Sequence, residues 1–170
     1  MLFRSLTIYA DSITAGLGEN EGEPWPEILE RTKHAKIFNR ARVGATVGSA
    51  LTKAKITTDP RGIVLLEIGG NDLLGNTKPE LFERNLDELL ELLSNRHRRV
   101  LMFELPLPPT YNSFGEIQRR LSKKHGVVLI PKRVLMGILS GDSATLDSIH
   151  LSQAGHQRMA ETVWRILGRQ

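Results

Sequence analysis

The segment Leu6–Gly16 reads LTIYADSITAG. Its first five residues, Leu6–Ala10, carry no charge, and the run stops abruptly at Asp11-Ser12 before small residues and a glycine. A short run without polar alternation is how a strand covered on both faces reads. Four further runs of this kind follow at Lys36–Ala41, Ile63–Ile68, Val100–Leu105 and Val127–Ile130, most of them rich in Val and Ile. Helical patterns fall between them, at Pro24–Thr32, within Val47–Lys55, at Pro79–Ser94, at Phe114–Lys124 and at Gln153–Leu167. In Pro79–Ser94, Phe82, Leu86, Leu89, Leu90 and Leu93 share one face. Thr77 and Glu80 suit a capping box, with Pro79 in the first turn. In the last helix Met159, Val163, Trp164 and Leu167 face a core, and Gly168 provides a stop.

Strands alternating with helices imply a parallel sheet covered on both faces, joined by right-handed crossovers. The expected fold is α/β, a three-layer α/β/α sandwich around a five-stranded parallel sheet of flavodoxin-like order 2-1-3-4-5. At 170 residues the chain is expected to form a single domain, 1–170, with no repeat or linker. Sheets of this type place their ligand site beyond the strand C-termini, at the switch point. The residues that follow each strand therefore carry the functional reading.

Composition narrows the classes. The net charge is +4 and the sequence pI about 9.6. The basic residues Arg96, Arg98, Arg99, Arg119, Arg120, Lys123 and Lys124 read as solvated helix ends and loops. No aromatics interleave with them, so no nucleic-acid partner is expected. The absence of cysteine excludes a disulfide framework and a thiolate metal site. Asp147, His150 and His156 match no standard metal-ligand spacing. Gly16–Gly18 is no dinucleotide fingerprint, and no phosphate loop with lysine occurs. No cofactor, no metal, no integral membrane contact and no obligate protein partner are expected. As the chain stands the expected compartment is the cytoplasm, or the periplasm or exterior if a leader has been removed.

Strand 1 is followed by Asp11-Ser12, strand 2 by RVGATVG containing Gly44, and strand 3 by GGND containing Asn71. In the order 2-1-3 these three loops converge, because neighbouring strands lie roughly 4.8 Å apart. Acyl transfer through a serine needs a nucleophile and an oxyanion hole. The Ser12 N–H, the Gly44 N–H and the Asn71 side-chain amide could supply the donors. A hydroxyl also needs a base. His34, His97 and His125 precede strands 2, 4 and 5, at the opposite end of the sheet. His150 lies three residues after Asp147, which could accept from one ring nitrogen while the other faces Ser12. His156, inside the final helix, is expected to be structural or exposed. Strand 5 lies three strands from strand 1, so the loop bearing His150 has to fold back over the sheet. About twenty residues after Ile130 give it the length.

Each feature alone has a plainer reading: Ser12 as a helix N-cap, Gly44 as a turn glycine, GGND as a loop with Asn71 or Asp72 capping a short helix, Asp147 and His150 as a surface pair or turn. Asp11 and Asp72 are expected to hold their own loops by bonding backbone N–H groups. A literal GDS at Gly141–Ser143 follows no strand and precedes no helix, so it lacks the context a nucleophile needs.

The residues ADSITAG, NRARVGATVG, GGND and DSIH, in that order, resemble the four blocks of the SGNH, or GDSL-type, hydrolase family. Within it the chain is similar to the bacterial thioesterase I/arylesterase/lysophospholipase branch, through VLLEIGGNDLL, PWPEILE and LPLPPTYN. The resemblance implies Ser12 as nucleophile, Gly44 and Asn71 completing an oxyanion hole with the Ser12 N–H, His150 as base and Asp147 as its orienting acid. It implies a serine esterase or thioesterase acting on small-molecule or lipid-like acyl esters through an acyl-enzyme, without cofactor. Leu73, Leu74, Leu107, Pro108 and Tyr111 could line an apolar acyl groove or simply pack the loops. Carbohydrate acetyl ester hydrolysis is an alternative within the family. A non-catalytic flavodoxin-like anion-binding module and a degenerate, partner-binding hydrolase are alternatives outside esterase catalysis. The departure from the family pattern is Ala10, where Gly is usual. One added methyl costs little if φ is negative and causes strain if φ is positive.

Overall fold

The computed structural model describes residues 5–16, 22–57, 62–94, 98–107 and 112–168. In chain order the elements are β1 Leu6–Ala10, α1 Ser12–Ala15, α2 Trp25–Lys33, β2 Ile37–Asn39, α3 Val47–Ile56, β3 Ile63–Glu67, α4 Gly70–Leu74, α5 Pro79–Ser94, β4 Arg99–Phe103, α6 Asn112–His125, β5 Val128–Ile130, α7 Lys132–Leu139 and α8 Gln153–Leu167. The strands form one parallel sheet of order β2-β1-β3-β4-β5, the order expected.

The period-two alternation of each strand sorts its side chains between two cores. Tyr9, Val64, Leu66, Val100 and Met102 pack with α3, α5 and α6 on one face. Leu6, Ile8, Ala10, Ile63, Leu65, Leu101 and Phe103 pack with α2, α7 and α8 on the other. The register agrees, since Leu6 pairs with Ile63 and Ile8 with Leu65. The helix α5 starts and stops at the residues its periodicity indicates, with its five apolar side chains all buried. Among the described residues no helix is long and apolar enough to cross a membrane.

Several expectations are corrected at the margins. β2 and β5 are edge strands, shorter than their apolar runs and only partly buried. The backbone nonetheless continues β2's pairing past Asn39, because Arg40 N–H donates to Ile8 O and Arg42 N–H to Ala10 O. The start of α5 differs from the expected Thr77 cap. With α5 starting at Pro79, Lys78 takes the flanking position, and the Thr77 side chain bonds Asp72 instead. A capping box forms at the head of α3, between Thr46 and Ser49. α7 appears where only a loop was expected, whereas α1 and α4 are the short helices that the capping readings of Ser12 and of Asn71 or Asp72 allowed for, with Asp11 and Gly69 as the actual caps. α7 supplies eight of the residues between β5 and His150, and the rest of that return is turn and bend.

Candidate active site

Ser12 begins α1 directly beyond the end of β1. Asp11 caps that single turn, its Oδ1 accepting the Ile13 N–H at 2.9 Å. Backbone bonds pull the neighbouring loops to the same place: Arg42 N–H donates to Ala10 O, and Asp11 N–H to Glu67 O. The loops after β2 and β3 are tied to each other as well. Asn71 Nδ2 donates to Ala45 O at 3.1 Å, and Val47 N–H donates to Asp72 Oδ2 at 2.8 Å. Asp72 therefore does more than cap its own loop; it reaches across to the head of α3. Gly44 sits in the Arg42–Ala45 turn at φ 74°, a conformation that favours glycine. The structure brings Ser12, Gly44 and Asn71 to one end of the sheet.

His150 arrives from the other side. Ser12 Oγ and His150 Nε2 are 3.0 Å apart, and His150 Nδ1 and Asp147 Oδ2 are 2.6 Å apart. The Asp147 carboxylate has no proton to give, so Nδ1 carries the ring hydrogen. In the neutral ring Nε2 is then the acceptor, and the Ser12 hydroxyl donates to it. Asp147 Oδ1 also accepts the N–H groups of His150 at 2.8 Å and Ile149 at 3.1 Å, so one carboxylate holds both the ring and its backbone. These bonds, led by the His150 N–H, hold the Asp147 carboxyl down at about 2.

The loop bearing His150 is pinned to the head of α8. Ser152 N–H donates to Ala144 O, Leu146 N–H to His150 O, and the Ser152 hydroxyl to Ser143 O. A Cβ on Gly155 would lie 2.1 Å from Ala144 O, so a glycine is required for this approach. The GDS at Gly141–Ser143 belongs to this turn, with Ser143 at φ 54°. His156 is buried, and its Nδ1 accepts the Trp25 N–H at 3.3 Å; it is structural. His125 pairs with Asp87, and His34 ends α2. His97 lies outside the described residues.

Ala10 is in regular strand conformation and not among the residues of positive φ, so its methyl causes no strain; it is buried in the core. Two buried acids flank it. Burial pushes the Asp11 carboxyl up to about 6, against the Ile13 N–H and the His150 ring, which oppose the shift; nearby Asp72 adds to it. Glu67, fully covered and beside Asp11, is raised well above the ordinary carboxylate range. Sequence reasoning gave Glu67 no role: it lies inside the Ile63–Ile68 run, and nothing there marks a single glutamate as buried beside Asp11.

The Asp11 shift gives a prediction. A carboxyl that titrates near 6 when folded and near 3.8 when unfolded holds its proton more tightly in the native state. Its stabilising contribution is complete below 3.8 and is lost as pH rises through about 6. Asp11→Asn keeps an oxygen for the Ile13 N–H but has nothing to ionise. Its melting temperature relative to wild type therefore rises by a few degrees, ~1–2 kcal/mol, between about pH 4 and about pH 7. Thermal unfolding at both pH values checks this; a constant difference would mean that Asp11 titrates normally.

A groove of about 580 Å³ is lined by Asp11 and Ile13, the chain neighbours of Ser12, and by Ile149, the neighbour of His150, together with Glu67. Leu73, Leu74 and Leu107 line it, as do Leu135, Met136 and Leu139 of α7. Pro108 and Tyr111 lie outside the described residues. The α7 side chains went unforeseen. Their signal was present in Pro131 followed by apolar residues at 134, 135, 138 and 139, the spacing of a helix with one apolar face.

A model of the GDSL-like lipase/acylhydrolase family matches residues 11–158. The chain is 25% identical to the esterase TesA of Pseudomonas aeruginosa, over 96% of this chain and 88% of that protein. A crystal structure of TesA superposes with a TM-score of 0.81 at 24% identity, covering 97% of this chain and 98% of that one. The crystal structure of AlinE4, described as an SGNH-hydrolase family esterase, superposes with a TM-score of 0.72 at 26% identity, covering 98% and 95%.

Proposed function

We infer the activity from one premise: the chain belongs to the GDSL-like lipase/acylhydrolase family. As a member it is a carboxylic ester hydrolase, and the proposed mechanism assigns its residues. Ser12 attacks the acyl carbonyl while His150 Nε2 takes its proton. Asp147 keeps the ring oriented and offsets the charge it gains. The Ser12 and Gly44 N–H groups and the second hydrogen of the Asn71 amide receive the oxyanion; the first hydrogen is engaged by Ala45 O. Collapse gives an acyl-enzyme as His150 protonates the leaving group. Water activated by the same nitrogen then releases the acid. The observation that carries this reading is the unbroken line from Ser12 Oγ through His150 to Asp147, at 3.0 and 2.6 Å.

The substrate class follows from the groove. Its volume and its leucine-lined walls favour an acyl chain longer than acetyl, which weighs against a carbohydrate acetyl esterase. A p-nitrophenyl ester series from acetyl to dodecanoyl tests both points. With increasing chain length kcat/KM rises roughly three- to fourfold per methylene until the groove is full. A maximum at acetyl would favour the acetyl esterase, and no turnover on any ester would favour the anion-binding module.

The glycine at the head of α8 gives a second test of this geometry. Gly155→Ala forces its Cβ against Ala144 O, and a backbone oxygen gives way only if the His150 loop moves. Overpacking of this kind costs ~1–3 kcal/mol. The displacement of His150 lowers kcat at least about tenfold. Steady-state kinetics beside thermal melts check it; an unchanged kcat would mean that the loop yields without moving His150.

A further inference from the structure

Four buried polar groups form one continuous line beneath Ser12. Thr14, two residues further along α1, donates its hydroxyl to Glu67 Oε2 at 3.0 Å. The same hydroxyl oxygen accepts the indole N–H of Trp25 at 3.1 Å. The Trp25 backbone N–H donates to His156 Nδ1 at 3.3 Å. The line runs from the end of β3 through α1 and α2 into α8, and all four residues are buried.

Polar groups in a core cost more than apolar ones unless every bond is made, and what they add is direction. Here the direction matters, because α1 has four residues and cannot hold its own shape. At the other end, α8 carries the loop of His150 on its N-terminus through the Ser152 bonds. The two meet at His156: a Cβ on Gly16, which ends α1, would lie 3.9 Å from its Nε2. A backbone N–H can only donate, so His156 Nδ1 is an acceptor and the ring is neutral. Burial lowers its pKa in the same sense.

We propose that Thr14 is a positioning residue: held by Glu67 on one side and tied through Trp25 to His156 on the other, it fixes the separation of Ser12 from the His150 loop. This rests on the reading of Ser12 as nucleophile. Thr14 itself does not line the acyl groove, although its partner Glu67 does, so its loss acts chiefly on the chemical step.

Wild type, Thr14→Val, Thr14→Ser, Trp25→Phe and Ser12→Ala are compared on p-nitrophenyl butyrate. The readouts are kcat, KM, melting temperature and the second-order rate of inactivation by diethyl p-nitrophenyl phosphate, which reports the nucleophile without an acyl chain. Thr14→Val, which keeps the shape and removes the hydroxyl, lowers kcat and the inactivation rate together by about tenfold to a hundredfold, at unchanged KM. Thr14→Ser, which restores the hydroxyl, recovers both to within about threefold. Trp25→Phe breaks the line from its other side and decides the matter by the same two rates if Thr14→Val does not fold. A lower melting temperature with both rates unchanged overturns the proposal and leaves Thr14 as core packing. Turnover surviving in Ser12→Ala would instead remove the nucleophile reading beneath it.

Discussion

Ser12→Ala lowers kcat on p-nitrophenyl esters by at least about a thousandfold, whereas Ser143→Ala leaves it within about twofold. The contrast follows from the surroundings of the two hydroxyls. Ser12 Oγ lies 3.0 Å from a ring nitrogen that is free to accept, on a turn capped by Asp11. Ser143 lies in the turn that pins the His150 loop, and it contributes its carbonyl, accepting the Ser152 hydroxyl. Removing its side chain leaves that bond intact. The activity left in Ser12→Ala is what an oxyanion hole achieves with water as nucleophile, so it falls short of zero. Mass spectrometry after organophosphate treatment supplies a second reading: one adduct on wild type and on Ser143→Ala, none on Ser12→Ala. More than a tenth of wild-type turnover in Ser12→Ala would sink the assignment.

Much of this arrangement is legible in the residues, for physical reasons that differ by element. The helices α5 and α8 have the boundaries their sequences indicate, since 16 and 15 residues give a periodic pattern time to declare itself. The central strands β1, β3 and β4 are covered on both faces, and their largely apolar runs, charged only at the end residues Glu67 and Arg99, report that directly. The edge strand β2 departs furthest from its run, keeping Ile37–Asn39 of Lys36–Ala41, although its backbone still bonds Ile8 and Ala10 beyond that point. The helices whose extent the sequence leaves unmarked are short. α1 and α4 have four and five residues, too few for periodicity to show. They exist because Asp11 caps α1 and the Asp72 side chain ties α4 to the Val47 N–H, bonds beyond the helices' own ladders.

The site divides in the same way. Ser12, Gly44 and Asn71 could be placed together because a strand order converts distant loops into neighbours. His150 could be placed only by assuming that its loop folds back, and the agent of that fold, α7, was not anticipated. Glu67 was beyond reach, and the burial of His156, expected to be structural or exposed, was left open, for a different reason. Whether a polar residue at a strand end or helix head is solvated or buried depends on which elements cover it. The covering of Glu67 comes from Thr14 of α1 and the environment of Trp25, which are brought together only in the folded chain.

His150→Ala costs as much kcat as Ser12→Ala, and the double variant costs no more than either, because a nucleophile without its base and a base without its nucleophile are equally idle. Asp147→Asn costs less, about tenfold to a thousandfold, and the reason is exposure. In a triad whose acid is buried, the amide presents a donor to the ring, imposes the wrong tautomer and lowers kcat by about ten-thousandfold. Here the Asp147 side chain is 51% exposed, so water can replace the lost acceptor at Nδ1. The amide oxygen can still take the Ile149 and His150 N–H groups that shape the loop. The same bonds keep the carboxyl ionised down to about 2, so Asp147 contributes its full effect at every pH where the enzyme would be assayed. The acid limb of the rate profile therefore does not arise from Asp147, and it persists in Asp147→Asn. Steady-state kcat for the three single variants and the double, with a pH profile for Asp147→Asn, tests each step. An Asp147→Asn enzyme as inert as Ser12→Ala would mean that solvent cannot take the carboxylate's place, and that the half-exposed acid works as a buried one does.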